Sequence, residues 1–369
     1  MKKICFIANS LSYGGAEKII SFTASGFAER GDRVFLVNLL KNPGDAGRLD
    51  SRVTVIPAEA VKIRYLDRLD QTRKILKAVR AIRPDLIISF TFTANYLASL
   101  TGKTLGIPVI ISERCDPSRE LVLKGHVKAC WNLINSMDGG VFQTEGAMRY
   151  YSEGMQARGT IIPNPAVLEE EIVHRVRPNG GPPVVVSVGR LDNRQKRYDV
   201  MLGAFRLLLR SHPGCRLELY GTGDDEALIR TWIAEHGMEK AVRLMGRADR
   251  PLRVMDAADI FLTTSDYEGI SNALLEAMAI GMPVVATDCT PGGARLLIRN
   301  GENGLLVPCG NTAEIAAALG RMAADHALRL RCGENAKKVR EEYDPRRIMD
   351  LWTGYADRIL GTKEKACQV

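Results

Sequence analysis

Ile260-Phe-Leu-Thr-Thr-Ser-Asp-Tyr-Glu-Gly-Ile-Ser-Asn-Ala-Leu-Leu-Glu-Ala-Met-Ala-Ile-Gly-Met-Pro-Val-Val-Ala-Thr-Asp288 combines a strand end, a polar loop and a helix start. The apolar run Ile260 to Leu262 ends in Thr263-Thr264-Ser265, and a run of good helix formers follows Gly269 as far as Gly281-Met-Pro283. Glu268 then falls on the loop and Glu276 inside the helix. Backbone N–H groups at Gly269, Ile270, Ser271 and Asn272 would point out of the helix N-terminus, where anions are held. Carboxylates beside such amides suit a ligand that carries both phosphates and hydroxyls, as a nucleotide sugar does, because the amides take the former and the glutamates accept from the latter.

Working outward, the 369 residues suggest two domains of ordinary size. Ile4 to Ala8, Val34 to Leu39, Val53 to Ile56, Leu86 to Ser89 and Val109 to Ser112 are β-type runs, several of them separated by helical segments. That alternation predicts an α/β fold with doubly wound parallel sheets. We place a first domain at 1–167, with Gly139 to Glu145 and Thr160 to Pro165 as its last strands. The acidic and Pro/Gly-rich stretch 168–183 reads as a linker, with His174 solvated on it. A second domain follows at 184–345, and an amphipathic helix at 346–369 returns to the first.

Near the N-terminus, Leu11-Ser-Tyr-Gly-Gly15-Ala-Glu17 separates a strand from its helix. A tight turn and a close backbone approach to a ligand both fit these glycines. In the second domain, Arg190 and Lys196 follow the buried run Val184 to Val188, where they would form a cationic clamp for a diphosphate. Gly221-Thr-Gly223 has only part of a dinucleotide fingerprint, since Glu226 replaces the third glycine. A helix over Tyr65 to Arg83 would carry Tyr65, Leu69, Leu76 and Val79 on one stripe. Arg73, Lys74, Lys77 and Arg80 fall on another face, as a solvated surface or as a contact for anionic lipid.

The eight cysteines are scattered with no Cys-x-x-Cys, and no His pair has metal-ligand spacing. We expect reduced thiols, no metal and no cofactor. The opening Met1 to Ala8 reads as a strand and not as a signal segment, and the apolar runs are far shorter than the about 18 residues of a membrane span. A cytoplasmic protein is expected. Its formal charge of +8 favours phosphorylated substrates or an anionic membrane surface. With 6% aromatic residues and no base-stacking signature, nucleic acid is not an expected partner.

Glu268 to Glu276, with its companions in order, resembles the Glu-x7-Glu motif of family 4 retaining glycosyltransferases of GT-B fold. The resemblance implies two Rossmann-like domains facing across a cleft, a nucleotide sugar on the second and a glycan acceptor on the first. It gives Glu268 to the donor sugar, Glu276 to the ribose hydroxyls, Arg190 and Lys196 to the leaving diphosphate, and the Gly246-Arg247 segment to the nucleobase. It also tips the reading of Gly15 towards the donor phosphates. The implied donor is a UDP-hexose or UDP-N-acetylhexosamine. The implied acceptor is a lipid-linked glycan, reached by peripheral association with the inner face of the cytoplasmic membrane.

Three positions depart from the family pattern: Arg197 replaces a glycine, Leu296 an acidic residue, and Arg114 or its neighbours a histidine that touches the donor sugar. Arg114 then stands as an acceptor-side candidate. Two other readings fit parts of the chain: an NAD-type oxidoreductase, and a non-catalytic glycan or lipid-diphosphate binding protein of the same fold.

Overall fold

The computed structural model describes residues 1–11, 14–40, 49–59, 67–122, 127–177 and 181–366. The chain forms two compact units, Met1–Pro165 with Pro345–Val369, and Ala166–Asp344.

Unit 1 holds β1 (Lys3–Ala8), β2 (Arg33–Asn38), β3 (Thr54–Pro57), β4 (Leu86–Phe90), β5 (Val109–Ser112), β6 (Gly139–Phe142) and β7 (Thr160–Ile161). They pair in parallel in the order β3-β2-β1-β4-β5-β6-β7. Strands of such a sheet are covered on both faces, so they read as continuous apolar runs and not as alternations. Ile4, Phe6, Ile88, Phe90 and Ile110 pack with the helices Gly15–Glu29 and Pro345–Ala366. Cys5, Ile7, Ile87, Val109 and Ile111 pack on the other face with Asp67–Ile82 and Phe92–Leu105.

Unit 2 repeats the plan with β8 (Val184–Val188), β9 (Arg216–Tyr220), β10 (Val242–Gly246), β11 (Ile260–Thr263), β12 (Val284–Thr287) and β13 (Leu305–Val307), again all parallel, in the order β10-β9-β8-β11-β12-β13. The strand order reverses between β8 and β11. Open α/β sheets bind ligands at the carboxyl ends of the strands flanking such a reversal.

Two expectations need correction. The stretch from 168 is not an open linker over its described first part: Ile172 and His174 are buried, and the His174 amide donates to the Ile280 carbonyl at 2.7 Å. Ile172 joins the core around Leu274 and Met278, so an apolar side chain docks what composition marks as a connector. In the helix Asp67–Ile82 the buried face is Gln71, Ile75, Val79 and Ile82, while Leu69 is 68% exposed. Tyr65, expected on the same stripe, lies outside the described residues.

Candidate functional site

At the end of β8 the chain passes through Gly189, Arg190 and Leu191, where Gly189 N donates to Tyr220 O and Leu191 N to Thr222 O. A Cβ on Gly223 would lie 2.3 Å from the Leu191 carbonyl oxygen, so this glycine lets the loop after β9 support the one after β8. A short turn, Asn193–Lys196, follows, with the Asp192 carboxylate accepting from Arg194 N. Arg197 then takes φ 52°, the left-handed region in which a side chain costs about 1–2 kcal/mol. This is the position at which the resembled family has glycine. The turn survives here with the Arg197 guanidinium held by Asp199 and, at 2.7 Å, by Asp266.

The loop after β11 is laced to that turn. Thr264 Oγ1 donates to the carbonyls of Lys196 (2.8 Å) and Arg197 (3.2 Å), Asp266 N donates to Gln195 O, and Gln195 Nε2 donates to Tyr267 O. These bonds bring Lys196 Nζ within 2.8 and 2.7 Å of the two Glu268 carboxylate oxygens. Ser265 Oγ donates to Glu268 Oε2 at 2.8 Å. The pair is mostly shielded, with side-chain exposures of 14% and 19%. Burial, and after it the Glu268 charge, raises the pKa of Tyr198 and of the Cys289 thiol. Arg190, by contrast, is exposed, and its guanidinium has no hydrogen-bond or ion-pair partner among the described residues.

Glu268 N donates to Thr290 O at 2.7 Å, and a Cβ on Gly293 would lie 1.8 Å from the Gly269 carbonyl oxygen. The Gly292-Gly293 turn therefore fixes the backbone that carries Glu268. Gly269, Ile270 and Ser271 are buried, and Ser271 caps the helix Asn272–Ile280 by accepting from Leu274 N. Asn272 and Glu276 are half-buried on that helix. At the end of β10, Gly246 has φ 71° and accepts from Gly221 N at 2.7 Å, with Arg247 next to it. Lys196 and Glu268 thus touch. Arg190, Gly246, Arg247, Gly269 to Asn272 and Glu276 lie at or beyond the carboxyl ends of β8, β10 and β11. Sequence reasoning missed the roles of Thr264, Ser265, Gln195 and Asp266, although polar residues directly after an apolar strand run were the available signal.

In unit 1, Gly15 is exposed and opens the helix Gly15–Glu29. Arg73, Lys77 and Arg80 are exposed, but Lys74 is drawn aside by Asp70 (2.8 Å) and the Glu59 carbonyl (2.6 Å). Arg114 departs from expectation: its guanidinium turns inward beside the stacked rings of Phe90 and Trp352, with its centre 5.0 and 5.3 Å from their centroids. Aromatic faces there attract a cation, which is the physical reason for its inward course.

Residues 169–339 match the family described as Glycosyl transferases group 1. Over 363 residues, 96% of this chain and 99% of the other, the sequence is 25% identical to an uncharacterized glycosyltransferase of Haemophilus influenzae. It is 23% identical over 366 residues to a Campylobacter jejuni alpha-1,4-N-acetyl-D-galactosaminyltransferase, whose name gives an undecaprenol-linked GalNAc-containing glycan as its substrate; the match covers 95% of this chain and 97% of that one. Among solved structures, Anabaena HepE in complex with UDP and glucose superposes with a TM-score of 0.83 at 19% identity, covering 97% of this chain and 100% of that one.

Proposed function

We propose, from a chain that is a glycosyltransferase of GT-B fold with a Glycosyl transferases group 1 domain at residues 169–339, that it moves a hexosyl or N-acetylhexosaminyl group from a UDP-sugar to a glycan in bacterial surface polysaccharide synthesis. The observation that carries this reading is the Lys196–Glu268 pair at the strand-order reversal of unit 2. A cation and a carboxylate that neutralise each other are poised for a ligand bearing both a diphosphate and hydroxyls. The phosphates draw Lys196 away, and Glu268 then accepts from the sugar.

The leaving diphosphate carries most of the charge that develops in the transition state, and Arg190, Lys196 and the amides from Gly269 to Asn272 meet it. Glu276 accepts from the ribose. The acceptor hydroxyl attacks on the face the diphosphate leaves, so configuration is retained, and its proton passes to a departing phosphate oxygen. Because protein cations take the phosphate charge, transfer is expected to persist in a chelator. HepE is named in complex with UDP and glucose, and the C. jejuni relative is named for transfer to a glycan on undecaprenol diphosphate. The first supports a UDP-sugar donor and the second a lipid-linked acceptor, which we place at the inner membrane face.

The test is a thermal-shift screen of nucleoside diphosphates and their sugars, followed by assay of nucleotide release. A ligand at about 100 times its Kd stabilises by about 2.7 kcal/mol. UDP and one UDP-sugar should shift melting, and that sugar should turn over slowly in water. No shift with any nucleotide, together with no release, overturns the reading.

A further inference from the structure

Five polar side-chain atoms in unit 1 are buried with no hydrogen-bond partner among the described residues; one is Asn38 Oδ1, and the other four belong to one neighbourhood: Ser112 Oγ, Arg114 Nε, Arg114 Nη2 and Trp352 Nε1. Phe90 and Ser112 are register partners across β4 and β5, so their side chains share a sheet face. The Phe90 ring stacks on Trp352 with centroids 5.6 Å apart, and the Arg114 guanidinium lies about equally close to both rings. Ser112 and Trp352 are fully buried. We infer that Ser112, Arg114 and Trp352 form a buried binding site for a small oxyanion, of the phosphate or carboxylate type, in unit 1.

The chemistry of the set points to that ligand. The groups on offer are one N–H at Nε, two at Nη2, the indole N–H and the Ser112 hydroxyl, whereas protein acceptors serve only Nη1, through Ile162 O (3.4 Å) and Asn164 Oδ1 (3.2 Å). A water molecule accepts about two hydrogen bonds and itself brings two donors. An oxyanion brings lone pairs alone, and a negative charge for a guanidinium that burial would otherwise leave poorly compensated. The neighbouring carboxylate is engaged elsewhere: Glu113 accepts from the amides of Arg114 and Cys115 and from the Tyr151 hydroxyl, and Tyr151 packs on the opposite face of the sheet. Burial pushes the Arg114 pKa down to about 9 against the opposing charge of Glu113, and an anion in contact would restore it. The site joins β4, β5 and the helix Pro345–Ala366, and it holds whether or not the chain transfers a sugar.

The test uses the full chain with Lys196→Ala, which removes a phosphate-binding cation of unit 2, and follows melting during titration with inorganic phosphate, phenyl phosphate and acetate. Phosphate or acetate should raise the melting temperature. Trp352→Phe, which keeps an aromatic ring against Phe90 and loses the indole N–H together with part of the ring system, and Ser112→Ala should each weaken that binding at least fivefold. Binding of inorganic phosphate without phenyl phosphate assigns a free ion, and binding of both assigns the end of a larger phosphorylated molecule; either supports the site. Equal affinity in Trp352→Phe, Ser112→Ala and their parent overturns it. So does a high-resolution crystal structure grown in phosphate in which these donors meet only water.

Discussion

Lys196 and Glu268 lie 72 residues apart and are each other's counter-ion. Arg190→Ala and Lys196→Ala should each weaken UDP binding by about 1.5–3 kcal/mol, the range for losing a charged hydrogen-bond partner, as read by calorimetry. The two variants differ in one respect: Lys196→Ala also strands a shielded carboxylate, so its melting temperature should fall while that of Arg190→Ala stays put. Glu268→Gln should lower kcat more than it raises the Kd for UDP, because a contact to the reacting sugar strengthens in the transition state, whereas Glu276→Ala should act mainly on the Kd. The reverse split in measured constants would exchange their roles. Both members of the pair were legible as polar residues placed directly after buried strands. Their contact was not, because it depends on β8 lying beside β11, which no local pattern states. Arg114 shows the same limit: a residue after a strand end can turn out to a ligand or in to the core, and Phe90 and a tryptophan 238 positions on decided it.

Among the elements, the turn at Gly292-Gly293 can be tested alone. Gly293→Ala must displace the Gly269 carbonyl and with it the Glu268 loop, so turnover should drop at least tenfold. Gly301→Ala is the control: its φ of 82° costs about 1–2 kcal/mol of stability, but the space around it is open, and kinetics should be untouched. Loss of turnover in both variants would remove the special role of the turn. His174 gives the segment after Ala166 a pH dependence. Burial lowers its pKa from the ordinary 6.5, with Asp256 opposing. The unfolded chain therefore binds the proton more readily, so this contribution to stability is complete above pH 6.5 and is lost as pH falls through the lowered value. His174→Gln should flatten the acid limb of a melting-temperature profile, and an unchanged slope would show that His174 is uncoupled from unfolding. Strands and helices were readable because apolar runs and helix formers are local signals. The docking of Ile172 and His174 was not, because an acidic, proline-bearing stretch resembles a free connector until its partners around Leu274 and Ile280 are in place.

For the whole molecule, the excess of eight positive charges and the exposed face of Arg73, Lys77 and Arg80 bear on the membrane proposal. Among the described residues no helix is long and apolar enough to cross a bilayer, and the proposed contact with a lipid-linked acceptor is tested at this basic surface. Each cation near an anionic leaflet contributes about 1 kcal/mol, screened over about 10 Å at 0.1 M salt and about 3 Å at 1 M. Cosedimentation with phosphatidylglycerol vesicles should occur at low salt, reverse at high salt and weaken with Arg73→Glu and Lys77→Glu together. No sedimentation at any salt would leave the face as a solvated one. The two-unit α/β plan was legible from strand spacing, whereas the basic stripe was only half so: the ion pair that withdraws Lys74 and the exposure of Leu69 depend on how the helix is rotated against Leu39 and Glu59. Finally, unit 1 is discontinuous, and its core contains Ile348, Trp352, Tyr355 and Ile359. On the ribosome, residues 166–344 emerge before that core can close, so unit 2 can finish folding first. Until then the nascent first 165 residues can cover the Phe90 face of their sheet only with the helix Gly15–Glu29, and the part that Trp352 will fill stays open, a natural target for a chaperone during synthesis.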